Sequence, residues 1–458
     1  MSAQTKKKRI AELKRDARRY IIPHFANYEL LTREPKIFVK GEGCYLWDIE
    51  GNKYLDTFAS LLTTIIGHGR KEIAAVAENQ MKQLEFFPNY VDTYTVPLVE
   101  LAKKLAEITP GDLSVSFFVN SGSEANETAL KIARQYHIEK GRPHRYKFIA
   151  RRDSYHATTL GGSSVTGLKW FREYFEPLLP GCIFVSAARE RDCPPGMSSK
   201  AYGRKLLTEL EKVIEDESPD SIAGMIMDPL PGSNTAYPLP PEGYLKGIRN
   251  LCNKYGIVLI FDEIQTGFGK TGKWFFCEHE GVTPDIMTLG KGLTGGYLPL
   301  GVTITTPKIY KVFEAPGSEL RSGSTYGGHT TACATTLANI NIIEKEHLVE
   351  KAAKTGEYIK DNLARLSGRH SCIGSIQGIG MLLAVELVAD REKNKPFDPK
   401  LKVGNWVRDY CWKNGMILRN NGDILVIAPA LNINRESVDF MLDLIDKSLT
   451  AAVKHFKL

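Results

Sequence analysis

The sequence predicts an α/β protein with a mostly parallel sheet in a large domain and a smaller α+β domain built from both termini. Two apolar runs, 256–261 and 286–289, consist mostly of β-branched, long aliphatic and aromatic side chains, as strands buried on both faces do. Strand and helix patterns alternate from about residue 95 to 310, which is typical of parallel strands with covering helices. From residue 334 onward the chain is rich in helical patterns. We therefore expect three regions: an N-terminal part of the small domain at 1–75, the large domain at 76–333, and the rest of the small domain at 334–458.

The first twenty residues predict a basic helix. Apolar residues recur there at helical spacing, and eight Lys or Arg against two acidic residues supply most of the net charge of +7. This helix could lie on a second subunit or be solvated. The rest of the chain is almost neutral, so no broad basic face for nucleic acid is expected.

The next elements follow from local patterns. Residues 39–58 alternate around the turn at Gly51 and predict a β-meander. An apolar loop is expected at 61–69. The remaining predictions are helices at 70–84 and 95–108 and strands at 113–119, 147–150, 221–227, 381–387 and 424–427.

The strand at 113–119 leads into Ser121-Gly122-Ser123 and then a helix. Ser121 and Glu124 have the spacing of a capping box. A helix that begins in this way offers free N–H groups, two hydroxyls and the positive end of its dipole, which suits a phosphate. The alternative is an ordinary helix cap.

Two polar residues follow the buried strands. Asp262 ends the first apolar run, and Lys291 stands between two glycines after the second. Ligands of open α/β sheets bind beyond the carboxyl ends of the strands, so Asp262 and Lys291 should lie side by side there. Pyridoxal phosphate needs a lysine for its Schiff base and a carboxylate at its ring nitrogen. The sequence therefore predicts a pyridoxal phosphate site, against the alternative of a surface lysine and a capping aspartate.

Several other functions are excluded by the sequence. Residues 267–273 fit the pattern GxxxxGK, but Trp274 stands where a P-loop needs Ser or Thr for magnesium. There is no GxGxxG after a strand and no CxxC pair among the eight cysteines, so neither a dinucleotide site nor a metal site is expected. No apolar run is long enough to cross a membrane, and the simplest expectation is a cytoplasmic protein with reduced thiols.

With these residues placed, the sequence resembles the class III pyridoxal-phosphate aminotransferases, and most of all the pyruvate-dependent ω-transaminases. The resemblance extends from Gly41 to about residue 445. It is carried by six blocks in order: NSGSEAN at 120–126, Tyr155-His156, FDEIQTGFGKTG at 261–272, TLGKG at 288–292, GSTYGGH at 323–329 and RNNGDILVIAP at 419–429. The implied fold is fold type I, in which a large α/β domain carries the cofactor.

The resemblance implies roles around the cofactor. Lys291 would form the Schiff base and move the proton between the substrate carbon and the cofactor. Asp262 would pair with the ring nitrogen, and Gln265 would lie near the phenolic oxygen of the ring. Tyr155 and Ile264 would cover the two ring faces.

The same resemblance assigns the phosphate contacts and the oligomeric state. Ser121, Gly122 and Ser123 would hold the phosphate. Thr325 would reach the phosphate in a neighbouring subunit, which implies a homodimer with shared active sites that could pair into a tetramer. His156 is expected only to pack or to touch the ring edge.

The substrate residues implied are Arg419, Leu62 and Tyr155. Arg419 matches the mobile arginine that binds an acceptor carboxylate, and Leu62 stands where many amine transaminases have tryptophan. Relatives that bind 2-oxoglutarate often carry an arginine at the position of Val426, so a monocarboxylate such as pyruvate is favoured here. Two further departures are Asp228-Pro229 in place of Glu-Pro and Ala157 in place of glycine.

We therefore predict a transaminase that moves an amino group from an ω-amino compound or amine, such as β-alanine, taurine or a diamine, to a keto acid. A class III epimerase or aminomutase on the same scaffold is the alternative, and a binding protein without catalysis is a third hypothesis. No metal is expected.

Overall fold

A seven-stranded sheet forms the centre of the computed structural model, which describes residues 3–457. Its strands are β4 (Val115–Val119), β5 (Lys147–Arg151), β6 (Cys182–Val185), β7 (Ile222–Met227), β8 (Val258–Asp262), β9 (Ile286–Leu289) and β10 (Gly301–Thr305). They lie in the order β4, β10, β9, β8, β7, β5, β6. Every residue of β7, β8, β9 and β10 is buried, as expected for strands covered on both faces.

The sheet is parallel except at one strand. β9, β8, β7, β5 and β6 pair in parallel, whereas β10 is antiparallel to both β9 and β4. The prediction of a mostly parallel sheet is therefore confirmed. Every strand but β10 ends at the same edge of the sheet, which we call the carboxyl edge.

Helices cover this sheet and connect its strands. The longer helices span Ala3–Tyr20, Lys71–Leu84, Val96–Ile108, Gly122–Glu139, Ser199–Asp216, Tyr244–Tyr255, Thr330–Lys345, Leu348–Arg369, Val403–Lys413 and Arg435–Phe456. Shorter ones span Tyr28–Thr32, Leu160–Val165, Cys277–Glu280 and Pro307–Tyr310. Helix Gly122–Glu139 buries Ala125, Ala129 and Ile132 at helical spacing, which is the apolar face that packs on the sheet.

Two smaller sheets complete the fold. The predicted meander is present as β1 (Phe38–Glu42), β2 (Tyr45–Asp48) and β3 (Lys53–Asp56), and a short strand β13 (Met416–Ile417) pairs in parallel with β3. The other sheet contains β11 (Ile373–Ile379), β12 (Leu382–Leu387), β15 (Ile424–Ile427) and β14 (Arg419–Asn421), in that order. The two ends of the chain thus meet in one sheet.

The predicted division into three regions stays a prediction. Helix Thr330–Lys345 runs without interruption across residue 334, where the composition changes. The basic helix Ala3–Tyr20 is present, and Lys14 on it forms ion pairs with Glu34 and Glu50 of the same chain. Between residues 3 and 457, no helix has the length and apolar character that crossing a membrane requires.

Candidate active site

Asp262 and Lys291 lie on neighbouring strands at the carboxyl edge. Asp262 is the last residue of β8 and stands opposite Thr288 of β9 in the parallel register, while Lys291 follows β9 after Gly290. Lys291 has a positive φ of 43° and begins a short 3₁₀ turn. Positive φ is uncommon for residues other than glycine, and such strain occurs often at functional sites. The structure therefore brings the predicted acid and amine together.

The Asp262 carboxylate is buried and fixed by three donors. Its Oδ2 lies 2.8 Å from Asn126 Nδ2 and 2.8 Å from His156 Nδ1, and its Oδ1 accepts a hydrogen bond of 3.1 Å from the N–H of Ile264. Asn126 also donates to the carbonyl of His156 and accepts from the hydroxyl of Thr288. A carboxylate held in this way is oriented before any ligand binds.

His156 therefore does more than the packing that was expected of it. Its ring is buried and its Nδ1 faces Asp262, while its Nε2 is buried without a hydrogen-bond partner among the residues described. Asn126 lies in the NSGSEAN block, and the sequence alone predicts no role for it. A polar residue on the buried face of a predicted helix was the available signal, because such groups are almost always hydrogen-bonded.

The Lys291 amine lies in a partly buried position. Desolvation by burial lowers the pKa of its ammonium, and attraction from Asp262 opposes that shift. A lowered pKa leaves a larger fraction of the amine neutral, which is the form that attacks a carbonyl carbon or accepts a proton.

The loop before helix Gly122–Glu139 packs directly against the other two motifs. A Cβ added at Gly122 would lie 2.7 Å from Cδ1 of Ile264, and one added at Gly290 would lie 3.4 Å from the Gly122 Cα. Ser121 accepts a hydrogen bond of 3.2 Å from the N–H of Glu124, as predicted for the cap. The return bond of the capping box differs: Glu124 accepts from the N–H of Asn120.

Tyr155 and Gln265 lie beyond the ends of β5 and β8. Tyr155 packs edge-on against Phe171 with ring centroids 4.9 Å apart, and burial raises the pKa of its phenol. Gln265 packs on Gly232, where a Cβ would lie 2.5 Å from its Nε2. The Oε1 of Gln265 is buried without a partner in the described chain.

Arg419 begins β14 and is exposed. Its Nη2 lies 3.3 Å from Asn421 Oδ1, and Asn421 donates to the carbonyl of Ser233, next to Gly232. In the antiparallel pair of β14 and β15, Arg419 stands directly opposite Val426. Residues paired in this way share one face of the sheet.

Leu62 is 3% exposed and lies in an unusual turn. Four consecutive residues, Ala59 to Leu62, have φ values of 43°, 43°, 68° and 69°. Left-handed backbone costs roughly 1–2 kcal/mol for each residue other than glycine. The loop that follows touches the lysine segment, since Ile65 lies against Gly292.

Asp228, a departure from the family pattern, and Thr325, a predicted phosphate contact, differ in their exposure to solvent. Asp228, at the end of β7, is buried and forms an ion pair of 2.8 Å with Arg151 at the end of β5. Thr325 is exposed on its loop, one residue after Ser324, which accepts a hydrogen bond from Asn120.

The rejected GxxxxGK segment is not a phosphate loop. Lys273, the lysine of the pattern, is exposed. Lys270, inside the pattern, is buried and donates to the carbonyls of Ala428 (3.1 Å) and Pro429 (2.9 Å). Its ammonium thus holds two parts of the fold together and does not face a ligand.

The residues at the carboxyl edge fit pyridoxal phosphate. Gly122 begins an 18-residue helix at the carboxyl edge, and the free N–H groups and positive dipole end of a helix N-terminus suit a phosphate. The Oε1 of Gln265, buried without a partner among the described residues, is an acceptor that a ligand could satisfy beyond the end of β8. The fixed carboxylate of Asp262 and the amine of Lys291 are the two groups that this cofactor requires.

The chain is similar to known proteins over nearly its whole length. The family model for class III aminotransferases matches residues 32–449. The putrescine–pyruvate aminotransferase of Pseudomonas aeruginosa is 36% identical over 451 residues, which cover 98% of each chain.

Two solved structures have the same fold. An (S)-enantioselective ω-transaminase from Thermomicrobium roseum superposes with a TM-score of 0.94 at 38% identity and covers 97% of this chain and 99% of its own. The ω-transaminase of Pseudomonas jessenii, solved in complex with PMP, has a TM-score of 0.93 at 33% identity and covers 96% and 98%. The fold is therefore fold type I, and the chain belongs to the class III aminotransferases, which depend on pyridoxal phosphate.

Proposed function

We propose that this aminotransferase moves an amino group from an ω-amino compound or another primary amine to pyruvate in two half-reactions. The donors that fit are β-alanine, taurine, a diamine or similar compounds. The similarity to the putrescine–pyruvate aminotransferase of Pseudomonas aeruginosa supports a diamine among them.

The choice of pyruvate as the acceptor rests on the pairing of Arg419 with Val426. Arg419 offers a planar fork that matches one carboxylate. The position directly opposite holds valine and not a second arginine, so this cross-strand pair offers one cation, which suits a monocarboxylate. Asn421 keeps Arg419 near Ser233 through one weak contact of 3.3 Å, so the arginine is free to turn aside for a donor without a carboxylate.

The chain's own residues would carry the proton steps. Pyridoxal phosphate supplies the carbonyl that takes up the amino group and a ring that accepts electrons. Lys291, with its lowered pKa, takes the proton from the substrate carbon and returns it at the next step. Asp262 keeps the ring nitrogen protonated, and Asn126 and His156 hold that carboxylate in place.

We further propose that two copies form a homodimer with shared active sites. Large apolar side chains on helix Lys71–Leu84 and on the chain up to Val99 are exposed: Met81, Leu84, Phe87, Tyr90, Tyr94 and Val99. A cluster of this kind is typical of an interface. Thr325 is exposed as well, which fits its proposed role at the phosphate of the partner. Light scattering of the purified enzyme would distinguish a monomer, a dimer and a tetramer.

The experiment that tests the reaction follows the visible absorbance of the purified enzyme with a panel of amines and no acceptor. The lysine-bound cofactor absorbs in the visible range, and we expect this band to bleach with one class of amine and to return when pyruvate is added. Addition of 2-oxoglutarate should restore the visible band far more slowly, because Val426 offers no cation for the second carboxylate of this acceptor.

The control is Lys291→Ala, which should bind the cofactor without amino transfer. A wild-type band that never bleaches with any amine would contradict the proposed function. Equal recovery with 2-oxoglutarate and pyruvate would contradict the proposed acceptor alone.

A further inference from the structure

The left-handed turn at Ala59–Leu62 contains no glycine or asparagine, the residues that adopt positive φ most readily. Strain of this kind persists only where the surrounding structure enforces it, and it is concentrated at functional sites. We therefore expect a neighbouring group that stabilises this turn.

Asp56, the last residue of β3, is that group. Its Oδ1 accepts a hydrogen bond of 3.0 Å from the N–H of Phe58. Its Oδ2 accepts from the N–H of Ser60 (2.7 Å) and from the Ser60 hydroxyl (3.0 Å), and it lies 3.2 Å from Nε2 of His68. Asp56 is 2% exposed, so water does not compete for these bonds. One carboxylate thus joins the start, the middle and the far side of the loop.

The turn lies between two parts of the candidate site. The loop that follows it touches the lysine segment, because a Cβ added at Gly292 would lie 3.1 Å from Cδ1 of Ile65. Both ends of the loop are tied to the chain after β15: Ala428 donates to the carbonyl of Thr57, and Leu431 donates to the carbonyl of Ile65, each at 2.8 Å. A change in the turn would therefore move Leu62 relative to Lys291.

We infer that Asp56 is a positioning residue that fixes the left-handed turn and thereby sets Leu62 as a wall of the donor pocket. Asp56 would then determine donor preference without touching the donor. This inference rests on the proposed function, since it takes Leu62 to line the pocket.

The test compares Asp56→Asn with Asp48→Asn. In Asp56→Asn the Oδ2 acceptor becomes a donor, so the bonds from Ser60 and His68 are lost while the size is kept. Asp48 is the matched control: it is also buried in the meander, and it accepts from the N–H groups of Glu50 and Asn52 in a turn at the end of β2. Ser60→Ala, which removes the contacts of the hydroxyl with Asp56 and His68 but keeps the backbone bond to Asp56, serves if Asp56→Asn does not fold.

Two measurements are made on each purified holoenzyme: hydrogen exchange of the peptide spanning 57–63, and the ratio of kcat/KM for β-alanine to that for benzylamine. In Asp56→Asn we expect exchange at least about tenfold faster, the equivalent of about 1.4 kcal/mol for bonds to a charged acceptor, and a clear change in the donor ratio. Ser60→Ala should show smaller changes in the same direction. Asp48→Asn should change neither quantity.

Unchanged exchange in both Asp56→Asn and Ser60→Ala would overturn the inference. Faster exchange with an unchanged donor ratio would also overturn it, because the turn would then not control the pocket. These outcomes differ from a failure of the proposed function, because in that case the wild-type enzyme itself would transfer no amino group from any donor.

Discussion

His156 Nδ1 and Asp262 Oδ2 lie 2.8 Å apart in a buried position at the carboxyl edge of the sheet. With Asn126 on the same oxygen, the carboxylate that we propose to face the cofactor is held by two side chains from different elements. Two donors on one oxygen, together with the N–H of Ile264 on the other, fix the orientation of this buried carboxylate.

Replacing His156 with alanine should weaken the site without unfolding the protein. Loss of a hydrogen bond to a charged group costs about 1.5–3 kcal/mol, so we expect kcat or cofactor affinity to fall by about ten- to a hundredfold. Cofactor titration and steady-state kinetics measure this. His370→Ala is the control, since His370 also pairs with a carboxylate, Asp446, at 2.6 Å but in the C-terminal part of the chain. Equal losses of activity in both variants would contradict a specific role for His156.

Gly122→Ala should reduce cofactor binding through a steric effect. The new Cβ would lie 2.7 Å from Cδ1 of Ile264, which is closer than real contacts allow. Either the Ile264 side chain or the backbone at residue 122 must therefore shift. Ile264→Val lacks this Cδ1, and the double variant Gly122→Ala/Ile264→Val should bind the cofactor better than Gly122→Ala does alone. Titration of all three variants gives the coupling between the two positions. Strictly additive losses would mean that the crowding does not act through Ile264.

The sequence predicted the parts of the site that depend on strand ends. Asp262 and Lys291 follow buried strands, and parallel neighbours end at the same edge, so their proximity follows from topology alone. The contacts of His156 and Asn126 with Asp262 join residues 106 and 136 positions apart. No local pattern specifies such a pairing, and it appears only when the elements are packed.

The left-handed turn was unpredictable for a related reason. Ala59 to Leu62 carries none of the residues that favour positive φ, and the bonds from Ser60 to Asp56 join the turn to a residue outside it. The reversed direction of β10 was likewise not predictable, because a buried strand has the same composition in either direction.

Lys270 should make stability depend on pH. Burial lowers the pKa of its ammonium from 10.5 to about 7, and attraction from Asp56 opposes the shift. Below about pH 7 the Lys270 amine is protonated in both the folded and the unfolded state, so the folded state bears the full cost of burying its charge. Between about pH 7 and 10.5 only the unfolded state keeps the proton, so stability rises with pH by up to about 1.4 kcal/mol per pH unit.

Lys270→Met removes this titration. Between pH 7 and 9 the wild-type protein should therefore gain about 2 kcal/mol relative to Lys270→Met, as measured by urea denaturation at both pH values. All other titrating groups are the same in the two proteins, so their contributions to the pH dependence cancel in the difference between them. A difference that does not change with pH would show that Lys270 stays charged in the folded protein.

Arg419→Gln should separate the two half-reactions. Pyruvate would lose a charge-assisted pair of hydrogen bonds, which predicts a fall of about a hundredfold in the rate at which pyruvate restores the visible band. An amine donor without a carboxylate makes no such contact, so its bleaching rate should stay within about twofold, an effect well below 1 kcal/mol. Arg408→Gln is the control, because Arg408 is bound to Asp409 and Asn420 close by. Equal losses in both half-reactions would place Arg419 in the structure of the site and not at the acceptor carboxylate.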